Sequence, residues 1–256
     1  MRLHFLGTCC GSEPMKDRKH ASFALECNGR IYWFDAGEGC SHTAHNMGLD
    51  LLAVTRVVIS HPHMDHVGGL GNLMWNIRKL CIVKHQLPYY GDLHVYIPNM
   101  QTWDGIMMIL RNTEGNFEIT YGIHAHETTN GVLFDDGIVR VTAYPNAHIS
   151  ALNGKPQAYS FLIECEGKRI VYSGDLHDYE ELNPVIGEGC DGLILETGHF
   201  KIDQAYQYVS GKQVGKVYFF HCGLEFLHYP EESRQKVDSL FGNRGFITFD
   251  GMVEQI

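Results

Sequence analysis

Apolar runs and alternating stretches recur along this chain between clusters of glycine, proline, asparagine and aspartate. That rhythm predicts strands with helices between them. Leu3 to Leu6 is an expected first strand. Ser22 to Glu26 and Ile31 to Phe34 flank Cys27-Asn28-Gly29-Arg30, and Asn-Gly between two such runs predicts a hairpin. A helix is expected over Ser41 to Met47, closed by Gly48. Arg56 to Ser60 reads as a buried strand, Leu70 to Arg78 as a helix and Leu80 to Lys84 as a strand. Leu93 to Ile97 is a strand, Met100 to Arg111 a helix capped by Asn99, and Phe117 to Thr120 a further strand. In the second half, strands are expected at Val139 to Tyr144, Leu193 to Glu196 and Val217 to Phe220. Gln157 to Cys165 and Lys168 to Ser173 make a hairpin around Glu166-Gly167. Asp178 to Ile186 is helix-like, Pro230 to Phe241 is a helix with proline in its first turn, and Phe246 to Phe249 is the last strand. Periodicity alone gives a mixed α and β chain, one domain over residues 1–256 with an irregular insertion around 85–130.

Composition narrows this picture. The chain has 256 residues, 44% hydrophobic and 20% charged, which suits one core of good size. No run of about 18 apolar residues suggests a membrane span. Met1 to Gly7 enters a strand directly and lacks the layout of a signal peptide. The 8 cysteines form no Cys-x-x-Cys pair, so free thiols in a reducing, cytoplasmic setting are expected. A net charge of -10 does not attract polyanions generally, so any nucleic-acid contact needs a local basic patch. Lys16-Asp17-Arg18-Lys19-His20 is the most basic stretch.

The densest chemistry follows Arg56 to Ser60. There His61-Pro62-His63-Met64-Asp65-His66 packs three histidines and an aspartate into six positions, and Gly68-Gly69 follows. Neutral imidazole and carboxylate are ligands of zinc and similar dications, and so dense a group is costly to hold together without a cation. His124-Ala125-His126 also has a metal-pair spacing, but without an accompanying carboxylate motif it reads as a polar loop.

The pattern His-x-His-x-Asp-His resembles the metallo-β-lactamase superfamily, which adds three later ligands, His, Asp and His, each after a strand. His148 after Val139 to Tyr144, Asp175 in Ser173-Gly174-Asp175, and His221 after Val217 to Phe220 occur in that order. Leu6-Gly7-Thr8, Pro14-x-Lys16-x-Arg18 and Phe34-Asp35-Ala36-Gly37-Glu38-Gly39 further resemble the opening of the tRNase Z (RNase Z) branch. The resemblance implies an α/β (α+β) fold: the four-layer αβ/βα sandwich of two mixed sheets flanked by helices. It implies two divalent ions, zinc by default with manganese or iron also fitting. His61, His63 and His148 would hold one, Asp65, His66 and His221 the other, and Asp175 would bridge them. Asp65 has an alternative role as general base for the metal-activated hydroxide. In the tRNase Z branch the Pro-x-Lys-x-Arg loop is followed by Asn and helps read an RNA 3′ end. Here Lys19 takes the Asn position, and Lys16, Arg18 and Lys19 are candidates for substrate phosphate. The branch also carries His-Glu-Ala-Thr, whose Glu-backed His helps protonate the leaving oxygen. Here Leu195 replaces that His, Glu196 keeps the Glu, and His199 is the candidate substitute.

These residues point to a metal-dependent hydrolase, with a phosphodiesterase on a nucleotide or other small phosphodiester expected first. Alternatives are hydrolysis of a thioester, lactone or other ester, and RNase Z-like tRNA 3′ endonuclease activity. The RNase Z arm that grips tRNA inserts between the third-motif His and the bridging Asp. In this chain Gln157 to Ser173 nearly fills that interval, so nucleic acid is the less favoured partner. An iron flavoprotein is disfavoured, because that class has Glu where this chain has His63. Homo-oligomerisation is left open.

Overall fold

Fourteen strands form two seven-stranded sheets in the computed structural model, which describes residues 1–256. Numbered in chain order, the first sheet runs β14 (Val253–Gln255), β1 (Arg2–Gly7), β2 (Ser22–Cys27), β3 (Arg30–Phe34), β4 (Val54–Val58), β5 (Leu93–Ile97) and β6 (Ile123–Glu127). The second runs β13 (Gly245–Ile247), β12 (Val214–Cys222), β11 (Cys190–Thr197), β10 (Lys168–Tyr172), β9 (Ala158–Cys165), β8 (Val139–Asn146) and β7 (Gly131–Asp135). Each sheet is mixed. β14, β1, β2 and β3 pair antiparallel and β3 to β6 parallel. Likewise β7 to β10 pair antiparallel and β10 to β13 parallel. The helices are α1 (Cys40–Asn46), α2 (Met64–Val67), α3 (Leu70–Lys84), α4 (Met100–Arg111), α5 (Asn183–Ile186), α6 (Ile202–Val209), α7 (Leu224–His228) and α8 (Pro230–Phe241).

Strand alternation sorts the apolar side chains into three layers of core. Phe5, Phe23, Tyr32, Phe34, Phe161, Tyr172, Tyr218 and Phe220 fill the space between the sheets. Phe23 stacks on Phe34 at 4.9 Å and meets Tyr172 edge-on at 4.9 Å, which ties the two sheets together. The other faces, with Trp33, Val57 and Val95 on one side and Leu193, Val217 and Phe219 on the other, pack under helices. The parallel strands are buried on both faces, which is why Leu193-Ile194-Leu195 and Val217-Tyr218-Phe219-Phe220 read as continuous apolar runs. The Asn28-Gly29 turn takes positive φ at both residues, 49° and 73°, as its hairpin requires.

Four expectations are corrected. Leu80 to Lys84 is the end of α3, not a strand. Buried Leu70, Leu73, Met74, Ile77, Arg78 and Cys81 keep helical spacing through it, and His85 closes the helix at φ 52°. Phe117 to Thr120 is not a strand, because Asn116 and Phe117 are both left-handed, at φ 51° and 54°. His124-Ala125-His126 is not a loop but the middle of β6, which joins the expected β5 and α4 within residues 85–130. The strand after Phe246 stops at Ile247, where Thr248 turns its N–H and hydroxyl onto the Phe219 carbonyl; the last strand is β14, on β1. No helix is long and apolar enough to cross a membrane.

Exposed Val83 tests the first correction. In a helix, Val83→Ala removes a β-branched residue and stabilises the protein by about 0.5 kcal/mol in chemical denaturation. Destabilisation by the same change would indicate strand structure there.

Candidate metal centre

One rim of the sandwich gathers the loops that follow β4, β8, β10 and β11 and the end of β12, and the candidate ligands meet there. Carboxyl ends of parallel strands are where open α/β sheets build their sites. His61 Nε2 lies 3.0 Å from His63 Nδ1, which lies 3.3 Å from His148 Nε2. Asp175 Oδ2 faces this set, 3.8 Å from His61 Nε2 and 3.7 Å from His148 Nε2. Its other oxygen, Oδ1, faces a second set, 3.3 Å from both His66 Nε2 and His221 Nδ1. Asp65 Oδ2 completes that set, 3.0 Å from His221 Nε2 and 3.5 Å from His66 Nε2. All seven residues singled out from the sequence are thus brought together, with one carboxylate dividing its oxygens between two histidine groups. Gly174 makes this placement feasible: it takes φ 57°, and a Cβ there would fall 2.6 Å from the Tyr159 carbonyl oxygen.

Three buried polar atoms in this cluster, His66 Nε2, His221 Nδ1 and Asp175 Oδ1, have no hydrogen-bond partner. Orphaned buried polar groups cost about 1–3 kcal/mol each. Three converging on one point are the donor set of a divalent cation, so these residues fit one.

Burial governs the electrostatics first. It lowers His61 well below the ordinary imidazole value and lowers His148 as well. For His66 burial also pulls downward, but the carboxylates of Asp175 and Asp35 outweigh it and raise the ring to about 10. Burial pushes the Asp65 carboxyl up, yet the His221 hydrogen bond and the charges of His66 and His221 hold it well below the usual carboxylate range.

Asp35, just past β3, was missed as a functional residue. Its carboxylate is fully buried and accepts from Ser60 N–H at 2.6 Å, Ser60 Oγ at 2.7 Å and Tyr172 OH at 2.5 Å. It also holds His66 Nδ1 at 2.6 Å, which aims Nε2 into the site. The signals available in the sequence were an aspartate closing an apolar strand and the turn that follows it.

Glu196 and His199 form the expected pair. Glu196 is buried, its Oε1 is 3.0 Å from His199 Nδ1, and its Oε2 accepts the His199 backbone N–H. The half-exposed His199 ring lies 5.0 Å from that of His148 and 5.9 Å from that of His221. The hydrogen bond to Glu196 raises the basicity of His199.

The basic loop behaves differently. Its start runs along the site, where a Cβ on Gly11 would sit 2.6 Å from Asp65 Oδ2. Arg18 is partly engaged within the chain. Its Nη1 donates to Thr8 Oγ1 at 2.8 Å and to the Thr248 carbonyl at 3.1 Å, so it fastens the loop to the segment after β13. Lys16 is exposed with Asp17 4.0 Å away, and Lys19 donates its backbone N–H to Asp250.

Residues 1–204 match the family model described as Anti-Pycsar protein Apyc1. Ribonuclease Z of Shouchella clausii is 43% identical over 171 residues, covering 66% of this chain and 49% of that protein. The chain spans about half the length of that protein and of Ribonuclease Z of Methanothermobacter thermautotrophicus. The crystal structure of human tRNase Z, short form, is similar with a TM-score of 0.72 at 21% identity, over 100% of this chain and 99% of that one. The metallo-beta-lactamase fold protein YhfI from Bacillus subtilis gives 0.76 at 16% identity, over 99% of each chain. The fold is the metallo-β-lactamase sandwich, as expected from the motif.

Asp35→Asn tests the support of His66. Asn tolerates the φ of 51° at this position but removes the charge and one acceptor. Zinc affinity falls about 10- to 100-fold while circular dichroism stays native. Unchanged affinity in the folded variant contradicts the role.

Proposed function

This chain belongs to the Anti-Pycsar protein Apyc1 family, and from that premise we propose that it is a metal-dependent phosphodiesterase acting on a nucleotide or other small phosphodiester. The observation that carries this is the Asp175 carboxylate, with one oxygen toward His61 and His148 and the other toward His66 and His221. In this reading His61, His63 and His148 hold one divalent ion, Asp65, His66 and His221 hold another, and Asp175 serves both. Zinc suits so histidine-rich a set, and manganese or iron suits its mixed nitrogen and oxygen donors. Bound there, such ions supply a nucleophile at neutral pH and neutralise charge on the substrate oxygens.

The chain's own groups do the rest. Glu196 fixes the proton of His199 on Nδ1 and favours its protonated form. Protonated His199 then gives its Nε2 proton to the leaving oxygen. Asp65 Oδ2 lies 3.0 Å from His221 Nε2, and its alternative role is to orient the nucleophile as a general base. Lys16 and Lys19 attract the substrate phosphate from the loop beside the site.

Two features favour a small substrate. The interval from His148 to Asp175 is occupied by a short loop and the β9–β10 hairpin, and the net charge of -10 offers no broad cationic surface. A second reading, cleavage of precursor tRNA at its 3′ end, is favoured by the identity to proteins named Ribonuclease Z.

A direct comparison decides between them. Cyclic nucleotides and bis(p-nitrophenyl) phosphate are hydrolysed efficiently, and precursor tRNA is neither bound tightly nor cut at a single site. Site-specific 3′ cleavage of precursor tRNA would establish the second reading instead. Asp175→Ala loses most activity and part of the bound metal with the fold intact; full activity in that variant contradicts the bridging role. His199→Ala slows hydrolysis of a nucleotide phosphodiester about 100-fold but has little effect with a p-nitrophenolate leaving group, which needs no proton. Equal loss on both substrates excludes the proton-donor role.

A further inference from the structure

Two hairpins of this chain close on matching sequences, Cys27-Asn28-Gly29-Arg30 between β2 and β3 and Cys165-Glu166-Gly167-Lys168 between β9 and β10. In each, the cysteine pairs with the basic residue on the last rung. The turn residues between them take positive φ in both hairpins, 49° and 73° in the first and 51° and 73° in the second. β2 lies in the first sheet and β9 in the second, and both cysteines are buried in the layer between the sheets. They meet there, with Cys165 Sγ 3.0 Å from Cys27 Sγ, and both are free thiols. Cys27 Sγ–H in turn donates to Glu166 Oε1 at 3.4 Å, and Glu166 Oε2 accepts from the Met1 ammonium at 2.8 Å. The pair stands far from the metal centre. β2 starts beside Asp35, whose carbonyl accepts from Ser22 Oγ, and β9 starts beside Gly174 at Tyr159. The cysteines end these strands, at the opposite end of the sandwich.

From this juxtaposition we propose that Cys27 and Cys165 are an oxidation site, joined by a hydroperoxide into a disulfide that clamps β2 to β9 across the sandwich. A disulfide has its sulfurs about 2.0 Å apart, so closure takes about 1 Å of sulfur movement from the present contact. With hydrogen peroxide as the oxidant, the Cys27 sulfur attacks one oxygen, the O–O bond breaks, and a sulfenic acid and one water form. The Cys165 sulfur then attacks the sulfenic sulfur, its proton leaves with the hydroxyl as a second water, and the S–S bond closes. Two thiols are oxidised and one peroxide is reduced. The exposed turns at Asn28-Gly29 and Glu166-Gly167 are all that separates the pair from solvent on that side, which suits a small oxidant. Burial and the neighbouring Cys165 sulfur push the Cys27 thiol up to about 12, and burial raises Cys165 too. Oxidation is therefore slow at neutral pH, and the closed bond is sheltered from thiol reductants by the same burial. Cys27 and Cys165 are 138 residues apart in the chain, so the bond constrains the unfolded state strongly. A bond between the adjacent Cys9 and Cys10 would close no loop.

The test is prolonged exposure of the folded, full chain to hydrogen peroxide, followed by alkylation of free thiols and peptide mapping without reductant. The expected result is a peptide pair linked through Cys27 and Cys165 that a strong reductant separates. Both cysteines recovered as alkylated thiols, or each oxidised or paired elsewhere, overturn the site. This measurement needs no variant. Thermal unfolding then reads the clamp: the oxidised wild-type protein melts about 5 °C or more above the reduced one, and the shift is absent in Cys165→Ala. A linked pair with no rise in the melting temperature overturns the clamp.

Discussion

The structure around the rim depends on placing a buried carboxylate, Asp175, between two groups of imidazoles. A buried negative charge is expensive unless it is paired, and here its partners are histidines on both sides. The strands exist to hold that arrangement. β4 delivers His61 and the turn carrying His63, Asp65 and His66, β8 delivers His148, and β12 delivers His221. Gly174 lets β10 turn sharply enough to aim Asp175 at all of them. His66 Nε2, His221 Nδ1 and Asp175 Oδ1 converge there without a hydrogen bond among them, a donor set that suits a divalent cation.

Asp35 links this site to the fold. It closes β3 in one sheet and accepts from Tyr172 on β10 in the other, while gripping Ser60 and His66. Tyr172 in turn packs edge-on against Phe23 in the aromatic layer between the sheets. The distance between sheets, set by that layer, therefore fixes where His66 points. A change in core packing at Tyr172 is transmitted through two hydrogen bonds, Tyr172 to Asp35 and Asp35 to His66, to a candidate ligand, which makes the sandwich a rigid support for the site.

Much of this was legible in the sequence because the chemistry is local. The His61 to His66 motif is contiguous, and His148, Asp175 and His221 each follow an apolar strand, so order and spacing disclosed them. The Glu196–His199 pair was also legible, from two residues a short step apart at a strand end. Asp35 was not, since its partners Ser60, His66 and Tyr172 lie far along the chain and meet it only in the fold. The contacts of Arg18 were hidden for the same reason: a basic run looks like surface, and only the fold shows Nη1 turned onto Thr8 and Thr248. Leu80 to Lys84 misled because a short apolar run has no period of its own, and the stripe on α3 decides it. His124-Ala125-His126 looked like a loop while Asp92 and His94, which give it its setting, stood about thirty residues away.

The central claim is that Asp175 serves two metal ions at once. Anomalous diffraction from crystals grown with zinc, collected on both sides of the zinc absorption edge, addresses it most directly. The account predicts two peaks about 3.5–4 Å apart on opposite sides of the Asp175 carboxylate, one beside His61, His63 and His148 and the other beside Asp65, His66 and His221. A single peak, or a pair with Asp175 touching only one of them, would contradict it.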